Sequence, residues 1–153
     1  MFEDPRRYFQ TFTNTVNSCR LMANRNLEGP QVIHSWEHWQ LITIELNCTF
    51  FSGERLEVFE GYSRKNLRRA PLRNLDYQFM RPNGATIFRI DTHGADIRPD
   101  QACHLHLDDE PNTIDDGDAR LNGFSLIDVD FLTVFATVFD HLEGRRFPWE
   151  QDG

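Results

Sequence analysis

The chain is 153 residues long, which suits one domain at about 150 residues each and suffices to bury a hydrophobic core. With 39% apolar and 26% charged residues and a mean hydropathy of -0.56, it falls among soluble globular proteins and away from disordered, collagen-like and membrane chains. The net charge of -8, from 24 acids against 16 bases, argues against a general nucleic-acid coat, because the overall attraction to phosphate has the wrong sign.

Asp4 followed by Pro5 has the form of an N-cap with proline at the first helical position, and Phe9, Phe12, Val16, Cys19 and Met22 recur at helical spacing. This predicts a helix over 5–24. Asn24 to Pro30 combines Asn, Gly and Pro and predicts a loop. His34 and His38 flank Trp36 four residues apart, in aromatic, strand-like surroundings that favour packing over chemistry. Trp39 to Phe51 alternates and is rich in branched and aromatic side chains, and Ser52-Gly53 turns it into a second run, Arg55 to Tyr62. A basic connection from Ser63 to Asn74 leads to Asp76–Met80 and, after Asn83-Gly84, to Thr86–Asp91. Asn-Gly between alternating runs predicts a hairpin. A two-residue loop sets Phe79 against Phe88 and Tyr77 against Ile90, with Asp76, Gln78, Arg89 and Asp91 on the opposite face. A three-residue loop including Pro82 would slip that register.

Asp108 to Asp118 reads as a solvated acidic loop. Ser125 to Asp128 resembles a capping box, and Phe131, Val134, Phe135, Val138, Phe139 and Leu142 then share one helical face. A helix over 125–143 follows, closed by Arg145-Arg146 and Pro148. The expected fold is α+β: an antiparallel meander of about four to five strands packed by an N-terminal and a C-terminal helix, one domain over 1–153.

Local charge departs from the total. Arg64, Lys65, Arg68, Arg69 and Arg73 form a run of five bases without an acid, whereas Asp100 to Asp118 holds seven acids and no base. The first is a candidate phosphate-binding surface, the second an acidic one. Cys19, Cys48 and Cys103 are odd in number and form no CxxC pair, so buried, reduced thiols are expected. No apolar run nears the roughly 20 residues that span a bilayer, and the N-terminus has no signal-peptide pattern. The expectation is a cytoplasmic protein with no membrane partner.

Reactive side chains are densest from Arg89 to His106. On a strand, residues two apart share a face about 6.5–7 Å from each other, so Arg89 pairs with Asp91, and His104 with His106 if that segment is extended. Convergence of these groups with His93 could do acid–base work on a phosphodiester, with Arg89 stabilising charge. It could instead bind a divalent metal through His104 and His106 with His93 or Asp91. Or it is a polar sheet face whose histidines are satisfied by carboxylates, without chemistry. There is no GxSxG, P-loop, GxGxxG or HExxH pattern.

Glu60, Tyr77 and Phe79, Gly84, Phe88-Arg89-Ile90-Asp91 and His104-Leu105-His106 follow one another in an order that resembles the TumE-like toxin family of toxin–antitoxin pairs. The resemblance covers about Leu41 to Phe139, within a core of 39–143, and leaves out the N-terminal 30 residues. The chain departs from the family pattern at Ile90 and at Thr92-His93-Gly94, where that pattern has an aromatic ring, then Asn and Pro-His-His. The resemblance implies a toxin neutralised by an antitoxin protein and aimed at RNA or nucleotides. Arg89, Asp91, His93, His104, His106 and Tyr77 would then be its catalytic residues, with a divalent metal an open question. The rival reading is a non-enzymatic module that docks a basic protein partner.

Overall fold

The computed structural model describes residues 4–67 and 69–150. Helix α1 (Pro5–Ser18) opens as expected, the Asp4 carboxylate accepting from the Arg6 and Arg7 amides, and ends before 24 because the chain passes into a strand. Seven strands follow: β1 (Met22–Ile33), β2 (Leu41–Phe50), β3 (Arg55–Ser63), β4 (Leu72–Met80), β5 (Thr86–Asp91), β6 (His104–Leu107) and β7 (Thr113–Ile114). They form one antiparallel sheet whose spatial order is the chain order. Helix α2 (Phe131–Leu142) comes after it. The class is α+β, but the sheet exceeds the four to five strands expected.

The largest departure is β1, which occupies the predicted loop. Its ladder with β2 breaks between Glu28 and Gln31, at Gly29-Pro30, and β1 is an edge strand where a missing proline N–H costs little. Gly29 has φ +102°, and a Cβ there would lie 2.7 Å from the Thr43 carbonyl oxygen, so both turn-forming residues serve a bulge.

The β4–β5 pairing matches expectation: Tyr77 opposes Ile90, Gln78 Arg89 and Phe79 Phe88. The loop is nevertheless Pro82-Asn83-Gly84, closed by Arg81 N–H to Ala85 O (2.8 Å) and Gly84 N–H to Arg81 O (2.9 Å). Met80 opposes Thr86, a register shift that leaves Ile87 as an extra residue. The bulge absorbs the added loop residue and restores the register.

Both helices cover one sheet face. Phe12 of α1 stacks on Phe131 of α2 with centroids 3.8 Å apart, above a core that includes Leu46, Val58, Leu75, Phe79, Phe88 and Ile90. Helix α2 starts at its Asp130 cap and not at Ser125, whose hydroxyl instead accepts from the Ile127 and Asp128 amides in a separate turn. Phe131, Val134 and Val138 are buried as predicted, whereas Phe135 and Phe139 are only partly so, because the stripe is narrower than its hydrophobicity suggested. Cys48 and Cys103 are buried and Cys19 half-buried, all as free thiols. Burial pushes the Cys48 and Cys103 thiols up to about 12 and about 11. Among the described residues, no helix is long and apolar enough to cross a membrane.

Candidate functional site

The sheet face away from the helices carries the cluster. Register sets His106 opposite Arg89 and His104 opposite Asp91 across β5–β6, and Asp91 opposite Asp76 across β4–β5. Asp91 is the hub. Its side chain is only 7% exposed, one oxygen taking Arg89 Nε at 3.0 Å and the other facing His106 Nε2 at 3.3 Å and His93 Nε2 at 3.6 Å.

His93 reaches Asp91 from a turn, not from a strand. Thr92 to Ala95 close with Ala95 N–H to Thr92 O at 3.2 Å, and His93 and Gly94 both have positive φ, 58° and 73°, a type I′ turn. Gly suits that backbone; a histidine in it is strained by about 1 kcal/mol or more. The His93 amide donating to Asp91 Oδ1 (3.2 Å) holds it there. The result sets the His93 ring 4.2 Å from the His104 ring and 5.3 Å from that of His106. His104 is held in turn by Asp115, 3.1 Å from its Nδ1.

Arg89 is braced by two carboxylates. Asp76 receives its Nε and Nη2 at 3.1 and 2.7 Å, and these bonds lift the guanidinium above its usual range. The guanidinium is committed to its neighbours and serves to fix Asp91. Beyond it the open face continues into a hollow of about 160 Å³ lined by Glu45, Asn47, Glu57, Phe59, Asp76 and Gln78, an acidic floor.

Arg89, Asp91, His93, His104 and His106 therefore converge, while Tyr77 does not join them. It points into the core with Leu75 and Phe79 and donates to Glu60. The alternation that set Tyr77 against Ile90 already carried this signal. Glu60 is fully buried and accepts from Tyr8 (2.7 Å), Tyr62 (3.4 Å), Tyr77 and the Phe131 amide (2.7 Å). Burial raises its carboxyl to about 7 against the pull of these donors. Asp76 and Asp115 were not singled out as site residues; Asp76 was legible as sharing the Arg89 face, but Asp115 lay in what read as a solvated loop.

The basic run divides. Lys65 and Arg69 are exposed, Arg64 lies over the Trp39 ring at 4.1 Å and donates to its carbonyl, and Arg68 lies outside the described residues. Arg73 departs from the expected phosphate surface: alternation turns it inward on β4, 3% exposed, with Nη2 on the Gln101 carbonyl at 2.5 Å, so it offers no surface charge. The connection 64–71 leaves β3 and enters β4 at the sheet end where β5 finishes and β6 begins. Asn74 at the start of β4 donates to Gly94 O at 3.4 Å. The basic connection and the histidine cluster thus share one end of the sheet. His34 and His38 are exposed in the β1–β2 connection, which lies at this same sheet end beside Arg64 but on the far, β1 side of the sheet, His34 against Gln40.

Comparison with family models, curated proteins and solved structures finds no match to this chain.

Proposed function

We propose that this protein is the toxin of a toxin–antitoxin pair, acting on RNA or nucleotides through the cluster centred on Asp91. The observation that carries the reading is the convergence of two imidazoles, His93 and His106, on one buried, braced carboxylate, with His104 packed on the His93 ring. Asp91 orients His106 and His93 as the two groups that meet the substrate, and His104, tied to Asp115, backs the His93 ring. Arg89 positions the carboxylate. Phosphate contact falls to Lys65 and Arg69 at the same sheet end, since the acidic hollow repels it.

Inducing the gene without its partner should arrest growth. His106→Ala and Asp91→Asn should each restore it, while His106→Ala, whose side chain is 23% exposed, still melts cooperatively within about 6 °C of the native chain. Arrest undiminished in both variants, or no arrest by the native chain, overturns the reading. Lys65→Ala with Arg69→Ala should weaken binding to single-stranded RNA and lower its salt slope by about 1.4, two contacts at about 0.7 each. An unchanged slope would leave both as ordinary surface residues.

The acidic hollow favours a second role for the same face. Exposed Glu45 and Glu57 beside Phe59 suit a basic protein partner, and reversing both charges to Lys should abolish its capture without changing growth arrest.

A further inference from the structure

We propose that Asp91, His93 and His106 form a binding site for one divalent transition-metal ion of the zinc class. The inference deepens the reading of this cluster as the functional site and rests on it for the ion's purpose, although binding is measured without activity.

The donors are two imidazole nitrogens and one carboxylate oxygen, and the ligand atoms the three residues offer all lie within 4.8 Å of one another. Metal–ligand bonds of about 2.0–2.2 Å place the ligands of a tetrahedral ion about 3.4 Å apart. His106 Nε2 and His93 Nε2 lie 3.3 and 3.6 Å from the same Asp91 oxygen. The first is a hydrogen bond and the second is too long for one, so a single carboxylate oxygen is faced by two ring nitrogens at the separations that two ligands of one ion take up.

Three further features support it. The other Asp91 oxygen forms an ion pair with Arg89, an outer-shell contact that favours monodentate ligation. The His93 backbone is held in a left-handed turn that aims its ring at Asp91, which a polar surface loop does not require. Charge also fits: Asp76, Asp91 and Asp115 against Arg89 leave three acids and one base, a net -2 when the imidazoles are neutral, which one divalent ion balances. Three protein ligands leave positions open for water or substrate, the pattern of a catalytic site and not of a closed structural one. His104, tied to Asp115 and packed on the His93 ring, positions His93.

Metal-free full-length protein should take up close to one zinc per chain at equilibrium dialysis, and zinc alone should raise its melting temperature in a concentration-dependent way. Cobalt(II) should give visible d–d absorption. His106→Ala and His93→Asn should each weaken zinc binding by at least 100-fold; asparagine tolerates the left-handed turn, so the second variant keeps the backbone. Asp76→Asn, which loosens Arg89, should weaken it about 10-fold. No zinc uptake by the native chain, or uptake unchanged in His106→Ala and His93→Asn, overturns the proposal. Growth arrest by a chain that takes up no zinc sinks the metal site and leaves the toxin reading standing; one zinc per chain with no growth arrest does the reverse.

Discussion

Phe131→Ala should cost about 3–5 kcal/mol, the range for emptying a buried phenylalanine site. The ring is fully buried, stacks on Phe12 with planes 18° apart, and is the point where the first and last helices meet. Helix geometry limits collapse around the void: the Phe131 amide stays tied to Glu60 and Tyr8, so the backbone cannot follow the lost side chain inward. Against a typical domain stability of about 5–15 kcal/mol, the variant should melt far below the native protein in a thermal scan. Phe135→Ala, at a partly buried site, should cost about half as much. Equal costs would mean that the two rings are equally enclosed, contrary to the structure.

The second large effect is a loss of stability as pH rises. Glu60 ionises near its ordinary 4.5 in the unfolded chain, whereas burial holds it at about 7 in the fold. Between those values the folded chain keeps a proton that the unfolded chain has released. The contribution is therefore full below about pH 4.5 and falls as pH rises through about 7, by up to roughly 3 kcal/mol at 1.36 kcal/mol per unit. Urea unfolding at pH 5 and pH 8 should show this difference in the native chain and lose most of it in Glu60→Gln, which cannot ionise. An identical pH response in the two proteins would place its source elsewhere.

Much of the architecture was legible because period-two alternation and turn chemistry agree over Leu41 to Asp91: β2, β3, the β4–β5 register and the shared face of Asp76, Gln78, Arg89 and Asp91 follow from local pattern. His104 and His106 also lie on one face of an extended segment, opposite Asp91 and Arg89. What failed lacked a local signature. Asn24 to Pro30 carries loop residues yet pairs along an edge, where tertiary context overrides propensity. Arg73 belongs to a run of charge but to the inward parity of β4. The His93 turn could not be read from spacing, since it depends on a backbone bond between Thr92 and Ala95. Glu60 stands in an alternating strand, and the Tyr8 and Tyr77 hydroxyls and the Phe131 amide, all brought in from other elements, explain a buried acid there.

The order of elements along the chain also bears on how the protein is made. Each strand pairs with the one synthesised just before it, so the sheet can zip up hairpin by hairpin as it leaves the ribosome, with short loops to close. Its apolar side, with Val58, Leu75, Phe79 and Ile90, has only α1 to shield it until residues 131–142 emerge. A ribosome paused before Phe131 would thus hold a paired sheet with a wet apolar face, the species most open to aggregation and proteolysis. Folding commits late, when the last helix closes over Phe12.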